Sequence, residues 1–150
     1  MKYFFALFLL TSLSAAAQSE EDKVKVPINA MFDAMRKSDT ALLRSAFAPT
    51  AVLQTIAKNK EGNVIVRTDK LDEFIGFLAK PHTDIYDERI RFDIIKIDAD
   101  LAIAWTPYQF YIGSNFSHCG VNSFQLVKIN GEWKIQYVID TRRKQGCEVK

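Results

Sequence analysis

His118 and Asp140 are the residues of this sequence best suited to acid/base chemistry. An imidazole that titrates near neutral pH can transfer protons, and a carboxylate beside it can orient the ring. The sequence therefore predicts His118 as a catalytic acid/base, with Asp140 or Asn122 in support. The alternative interpretation is structural. His118 would hydrogen-bond the backbone at the start of a strand, and Asp140 would form an ion pair with Arg142 or Arg143.

The relative positions of these residues depend on a hairpin at Asn130-Gly131, the strongest two-residue turn signal in the sequence. With those two residues as the loop, Ile129 lies opposite Glu132 and paired residue numbers sum to 261. The more apolar side of this hairpin should face the helices, and its pairs include Phe124 with Tyr137, Asn122 with Ile139, and His118 with Arg143. In this register Asp140 points to the opposite face, and a β-bulge in either strand would reverse that.

A group of polar residues at one end of an apolar concave face predicts the mouth of a ligand pocket. The predicted strand from Leu101 to Ile112 adds aromatic side chains, with Trp105 and Tyr111 on one face and Tyr108 and Phe110 on the other. One pair should line the core or the cavity. The other pair would be exposed unless a second subunit covers it, which predicts a homodimer through the sheet. The residues predicted to bind the ligand are Asn122, Trp105, Tyr108, Phe124, Tyr137 and Arg143.

The two cysteines, Cys119 and Cys147, predict a disulfide if the chain is exported. Unpaired thiols and a metal pair are the alternatives. A metal site would need more ligands than two thiols and the neighbouring His118 supply, unless a carboxylate joins them. In the hairpin register Cys119 lies opposite Arg142, so the chain must turn back after the last strand, and Gly146 would permit a tight return.

The first seventeen residues have the layout of a cleavable signal peptide. Lys2 supplies a positive charge, the run from Tyr3 to Leu10 is apolar, and Ala15-Ala16-Ala17 precedes Gln18. The apolar run is too short to span a bilayer. The cleavage site has no cysteine, so the sequence does not predict a lipid anchor. The sequence therefore predicts a secreted or periplasmic protein, cleaved between Ala17 and Gln18, whose residues 18–150 form one domain without a membrane anchor.

The charge of the chain argues against a nucleic-acid partner. The formal net charge is +2, and without Lys2 it becomes +1. Acidic and basic residues are interspersed along the chain, and the one basic cluster, at residues 142–144, is short. Proteins that bind nucleic acid carry a basic face or stripe. The sequence therefore predicts neither nucleic-acid binding nor a membrane-surface role.

Helical patterns come first and strand patterns last. Ser19 begins an acidic first turn and an apolar stripe follows, although Pro27 leaves only Ile28–Arg36 as firm helix. A short helix follows at residues 40–46, two strands at residues 51–57 and 64–68, and a third helix capped by Asp69. From Arg89 onward the pattern is strand, with the last one at residues 132–141. This order predicts an α+β fold, in which N-terminal helices pack on a strongly curved antiparallel sheet and form a cone with a cavity.

The order of these elements resembles the nuclear transport factor 2-like superfamily. The resemblance rests on the helices, on Phe47-Ala48-Pro49 after the second of them, and on Gly131-x-Trp133-Lys134-Ile135 in the terminal strand, and it covers residues 20–142. Ser117–Asn122 and Asp140–Arg143 resemble an exported bacterial subgroup. The superfamily includes ketosteroid isomerase-like, polyketide cyclase-like and dehydratase-like enzymes as well as binding domains. The acid/base set of the isomerases has no residue-by-residue match here.

Two functions follow from the residues and the resemblance together. The first is an exported domain that binds a small apolar or mixed-polarity molecule in its cavity. The second is an isomerase, dehydratase or cyclase in which His118 is the acid/base. The sequence contains no nucleophile elbow, phosphate-binding loop or HExxH motif. We therefore predict no cofactor and no metal.

Overall fold

The computed structural model describes residues 18–147, and the predicted signal peptide lies outside them. The elements in chain order are α1 (Glu20–Lys37), α2 (Thr40–Ala46), β1 (Phe47–Lys58), β2 (Val64–Asp69), α3 (Leu71–Leu78), β3 (Tyr86–Ile90), β4 (Ile94–Asp98), β5 (Leu101–Ile112), β6 (Asn115–Ile129) and β7 (Glu132–Thr141). Helices precede a long antiparallel meander, so the predicted α+β fold is confirmed. The predicted bounds of α2, β5 and β7 are confirmed to the residue.

The three helices begin and end at recognisable signals. Ser19 caps α1 by accepting a hydrogen bond from the backbone of Asp22, and Ser38 ends the helix in a left-handed conformation. The helix continues through Pro27, which contributes to its buried face. The prediction that Asp69 caps α3 is wrong, because Asp69 is the last residue of β2 and Lys70 precedes the helix without a side-chain cap. No helix of the described residues is long and apolar enough to cross a membrane.

The strands form one curled sheet in the order β2-β1-β7-β6-β5-β3, and β4 also pairs with β5. Every pair of neighbours is antiparallel except β1 with β7, which run parallel. This parallel pairing extends β1 back to Phe47, which lies beside Ile135, whereas the sequence predicted a strand starting at Ala51. The helices cover the concave face of the sheet, and the apolar residues there pack against α1.

The predicted hairpin register holds only near the turn. Leu126 pairs with Ile135, but Gln125 pairs with Tyr137, so β7 has a bulge at Gln136. Beyond the bulge the register moves by one residue, and a shift of one reverses which side chains face the core. The predicted pairs of Phe124 with Tyr137, Asn122 with Ile139 and His118 with Arg143 are therefore wrong. The observed pairs are Phe124 with Val138, Asn122 with Asp140, and Cys119 with Arg143.

This bulge changes the position of Asp140. The simple register placed Asp140 on the face opposite His118, whereas both side chains line the concave side. Tyr137 and Ile139 consequently leave the core-facing positions, and Val138 takes one of them. The bulge lies in β7, so Phe124 on β6 and Ile135, which precedes the bulge, keep their predicted positions and are fully buried in the core.

The predicted disulfide is confirmed. Cys119 and Cys147 are bonded, and their Cα atoms are 5.6 Å apart. Cys119 lies opposite Arg143 rather than Arg142, because the β7 bulge has shifted the register. Gly146 has a positive φ of 63° and forms the return that brings the tail back to the sheet. The side chain of Gln109 also holds the tail by donating to the carbonyl oxygen of Cys147 (3.0 Å).

Candidate functional site

A cavity of about 560 Å³ lies between the helices and the concave face of the sheet. Most of its wall is apolar, and this part is contributed by both helices and the sheet. The apolar and aromatic lining residues are Met31, Met35, Leu53, Phe74, Phe77, Leu78, Tyr86, Phe110, Ile112 and Val138. A cavity of this size, apolar with a few convergent polar groups, has the properties of a small-molecule site.

A row of polar side chains crosses the concave face from β5 to β1. Thr106 pairs with Asn122, Asn122 with Asp140, and Asp140 with Thr55, so the four residues occupy adjacent positions on neighbouring strands. These four are the buried polar residues of the described chain. Asp140 belongs to the row only because of the bulge at Gln136. Among the described residues, Thr106 Oγ1 is the buried side-chain atom without a hydrogen-bond partner.

The carboxylate of Asp140 is held by three neighbours. Thr55 Oγ1 donates to Asp140 Oδ1 (2.5 Å), and Arg142 Nε donates to Oδ2 (2.8 Å). The hydroxyl of Tyr108 donates mainly to the carbonyl of Thr141 (2.9 Å), with Asp140 Oδ2 further away at 3.3 Å. Burial is the largest single influence on Arg142 and lowers its pKa, but the bond to Asp140 and the negative charges around it together raise the arginine pKa. Asp140 is thus part of a structural ion pair, as one interpretation of the sequence held.

Glu88 is the carboxyl group at the polar end of the cavity that lacks a cationic hydrogen-bond partner. It lies on β3 beside Phe110, and Asn122 Nδ2 donates to its Oε1 (2.7 Å). Burial raises the pKa of Glu88 to about 7, and the nearby negative charge of Asp140 acts in the same direction. The bond from Asn122 and the charge of Arg142 only partly oppose this. At neutral pH a large share of the Glu88 carboxyl groups is therefore uncharged.

His118 also lies on the cavity wall, in contact with aromatic rings. Its ring centroid is 5.1 Å from that of Phe110 and 5.7 Å from that of Tyr108. Its Nδ1 is 3.0 Å from Ser117 Oγ. Burial, followed by the positive charge of Arg142, lowers the pKa of His118, so the neutral imidazole predominates at neutral pH. No hydrogen bond among the described residues joins His118 to Asp140, whose oxygens are already occupied.

An aromatic wall faces this polar end. The ring of Tyr86 is nearly parallel to those of Phe77 and Phe110, with centroid distances of 5.5 and 6.3 Å. His82 stacks on Tyr86 at 4.7 Å and is held by Ser38. Half of the Phe77 side chain remains exposed at the open side of the cavity. Nearly parallel rings of this kind present flat surfaces to a planar ligand.

The structure places only some of the predicted site residues in the cavity. His118, Asp140, Asn122 and Tyr108 line it. Four predicted ligand-binding residues lie elsewhere, and for each the position has a physical reason. Trp105 lies on the outer face of the sheet and is 46% exposed, and Phe124 is fully buried in the core. Tyr137 is turned by the bulge, and its hydroxyl donates to Gln54 (2.7 Å). Arg143 binds the carbonyl of Gly146.

Sequence reasoning missed Glu88 and gave Arg142 no role in ligand binding. Glu88 lies in the charged segment Tyr86–Ile90, which shows no apolar alternation, so nothing local marks one of its side chains as buried. Arg142 was assigned only a structural ion pair with Asp140, and it enters the cavity wall because the bulge turns Asp140 inward. Within the described part of the chain, no three His, Cys, Asp or Glu side chains are grouped as metal ligands.

Comparisons with known proteins agree with this geometry. Residues 19–137 match the model of a family described as "Putative lumazine-binding". A search of curated proteins returns no match. Among solved structures, a conserved protein from Planctomyces limnophilus is 17% identical with a TM-score of 0.69, over 83% of this chain and 96% of that one.

Two other solved structures show the same fold. An NTF2-like protein of unknown function from Shewanella baltica is 13% identical with a TM-score of 0.63, over 84% of this chain and 95% of that one. A protein of unknown function with a cystatin-like fold from Nostoc punctiforme is 19% identical with a TM-score of 0.62, over 85% and 95%. Identities this low show the fold alone, and the cone fold expected from the resemblance is confirmed. The chain has the nuclear transport factor 2-like fold and belongs to the family described as "Putative lumazine-binding".

Proposed function

We propose that this protein is an exported domain that binds a small, planar molecule of mixed polarity in its cone cavity. The apolar body of the ligand lies against the aromatic wall of Phe77, Tyr86 and Phe110. Its polar edge reaches the end of the cavity where Glu88 and Asn122 lie.

One observation carries this proposal: polar side chains that converge at one end of an otherwise apolar cavity. Buried polar groups cost free energy unless they are hydrogen-bonded, so a row of them is not expected in a core that serves stability alone. Here Asn122 and Asp140 are 5% and 9% exposed, and Glu88 faces the same space. Open space of about 560 Å³ beside these groups accommodates a molecule of two fused rings.

The family description supports the same class of ligand. The family is described as "Putative lumazine-binding", and lumazine is a planar bicyclic heterocycle. Such a bicycle has two flat faces for stacking and a polar edge for hydrogen bonds. Both kinds of partner are present in the cavity, at Tyr86 and Phe110 for stacking and at Glu88 and Asn122 for hydrogen bonding.

Titration with lumazine tests the proposal, with calorimetry or ligand fluorescence as the readout. We expect saturable binding that Tyr86→Leu weakens about two- to tenfold, the size expected for one aromatic stack of about 0.5–1.5 kcal/mol. Tyr111→Leu is the matched control, because Tyr111 packs against Arg89 and Phe116 rather than in the cavity. Equal affinities for the two variants, or no binding by the unaltered protein, would count against this ligand class.

An acid/base enzyme is the second candidate, and the position of His118 favours it. The neutral imidazole faces the cavity and can accept a proton from a bound molecule. In that case His118→Asn should abolish turnover of the substrate while the melting temperature stays nearly unchanged. A loss of stability with unchanged ligand affinity would instead mark His118 as structural.

Export and dimerisation complete the proposal. The bond between Cys119 and Cys147 is of the kind that persists in oxidising compartments, and N-terminal sequencing of exported protein should begin near Gln18. The exposed side chains Ile103 and Trp105, 42% and 46% accessible, offer an apolar strip on the outer face of β5 for a second copy of the chain. Sedimentation velocity should show a dimer, and Trp105→Lys should convert it to a monomer.

A further inference from the structure

The carboxyl group of Glu88 has one oxygen held and one oxygen free. Asn122 Nδ2 donates to Oε1 at 2.7 Å. The hydrogen bonds of the described residues leave Oε2 without a protein partner, and the side chain lines the cavity. Asn122 therefore orients the carboxyl plane and leaves one edge of it for a ligand.

The charges around Glu88 are already paired with one another. Arg142 binds Asp140 at 2.8 Å and Thr55 at 3.1 Å. Arg36 reaches only the backbone carbonyl of Glu88, and its guanidinium also binds the carboxylates of Asp33 and Asp87.

Arg67, Asp69 and Glu73 also line the cavity, and the described contacts include no hydrogen bond or ion pair between them and Glu88. Two further titratable groups lie near Glu88 and add no positive charge at neutral pH. His118 is neutral because burial and the charge of Arg142 lower its pKa. The Tyr108 hydroxyl donates to the carbonyl of Thr141, and burial raises its pKa, so it stays protonated. With no cation assigned to Glu88, burial keeps its pKa near 7.

An uncharged carboxyl group is the complement of a cyclic amide. Its O–H donates to the amide carbonyl, and its carbonyl oxygen accepts from the amide N–H, so two parallel hydrogen bonds form in one plane. Oε1 already accepts from Asn122 and has a second lone pair, while Oε2 carries the proton. Phe110 occupies the β5 position paired with Glu88 and lines the same cavity.

We propose that Glu88, positioned by Asn122, binds the –NH–C(=O)– edge of a planar cyclic amide through two hydrogen bonds. This inference rests on the proposed function, because it names the chemical edge that the ligand presents in the same cavity. Ionised Glu88 would keep the bond from the amide N–H but would repel the amide carbonyl. Binding should therefore be strong when Glu88 is protonated and should weaken as it ionises.

The test uses quinolin-2(1H)-one, a fluorescent bicyclic lactam that does not ionise between pH 5 and 9, and its N-methyl derivative, which lacks the N–H. Both are titrated against the full-length protein. At pH 6 we expect N-methylation to weaken binding about tenfold, the loss of a hydrogen bond worth about 1.4 kcal/mol. Above pH 7 the affinity for the lactam should fall, by at most about tenfold per pH unit.

Two substitutions separate this role from general packing. Glu88→Gln keeps a carbonyl and an N–H donor in the same positions, so it should preserve the preference for the lactam and remove its pH dependence. Glu88→Leu should bind the two quinolones equally. Glu61→Gln, in the exposed turn before β2, is the matched control and should behave as the unaltered protein.

The results that would refute the role of Glu88 differ from those that would also refute the proposed function. Equal affinities of the unaltered protein for the lactam and its N-methyl derivative would refute the role of Glu88 and leave the proposed function standing. Retention of the preference by Glu88→Leu would do the same. Failure of both quinolones and of lumazine to bind would refute the proposed function together with the inference.

Discussion

Replacing Glu88 with glutamine should remove a fall in stability that the unaltered protein shows between about pH 5 and 7. The pKa of Glu88 is about 7 in the fold, against an ordinary value of 4.5. In this range the folded chain holds a proton that the unfolded chain has released. The contribution of the uncharged carboxyl to stability is therefore complete below about pH 4.5 and is lost as pH rises through about 7.

The size of this effect follows from the pKa difference. One pH unit corresponds to about 1.4 kcal/mol, so the step from 4.5 to about 7 amounts to about 3 kcal/mol at complete burial. Glu88 borders an open cavity, and water there screens part of the cost. We therefore expect the free energy of unfolding to fall by about 2 kcal/mol across this range. Glu88→Gln, which resembles the protonated acid, should show no such fall.

Urea unfolding at half-unit steps from pH 4.5 to 8 measures this, with tryptophan fluorescence as the probe. His118 acts in the opposite direction, because its lowered pKa gives stability that is present above pH 6.5 and lost as pH falls. That contribution is the same in both proteins, so the difference between the two curves isolates Glu88. Glu61→Gln, an exposed Glu-to-Gln change, controls for the loss of a negative charge. Parallel curves for the unaltered protein and Glu88→Gln would refute the reasoning.

Two further predictions concern the end of the β6–β7 hairpin. Reducing the bond between Cys119 and Cys147, or replacing both cysteines with serine, should lower the free energy of unfolding by about 3–4 kcal/mol, since the bond closes a loop with a sequence separation of 28. Chemical denaturation with and without reductant measures this change. A change below about 1 kcal/mol would contradict the prediction. Gly120→Ala should cost about 3 kcal/mol, because its Cβ would lie 1.7 Å from the carbonyl oxygen of Thr141. Gly76→Ala, at a helical glycine with open space around it, should stabilise the protein by about 0.5–1 kcal/mol. Chemical denaturation measures both glycine variants, and similar effects of the two would contradict the close approach at Gly120.

Much of the fold follows from local patterns in the sequence. The capping serine at residue 19, the apolar stripe of α1 and the Asn130-Gly131 turn each act over a few residues, so their structural consequences can be read directly. The core positions of Phe124 and Ile135 follow from the turn, because Ile135 precedes the bulge and Phe124 lies on β6, which has no inserted residue between it and the turn. The pairing of Cys119 with Cys147 was also predictable, because few cysteines were available.

The arrangement of the site was decided by tertiary structure. In β7, Tyr137, Val138 and Ile139 are all apolar, so either of two registers satisfies the core and the sequence cannot choose between them. The parallel pairing of β1 places Thr55 beside Asp140, and Thr55 and Arg142 satisfy its carboxylate, which stabilises the bulged register.

The environment of Glu88 depends even more on distant parts of the chain. The segment Tyr86–Ile90 reads as exposed, and its burial arises from pairing with β5 and from Asn122, which is 34 residues away. The sequence by itself determined the helices, the long strands β5 and β7, the turn and the disulfide, because each depends on neighbouring residues or on the number of cysteines. Only the folded sheet decided which polar groups share the cavity, because a one-residue shift in register reverses every side chain beyond it.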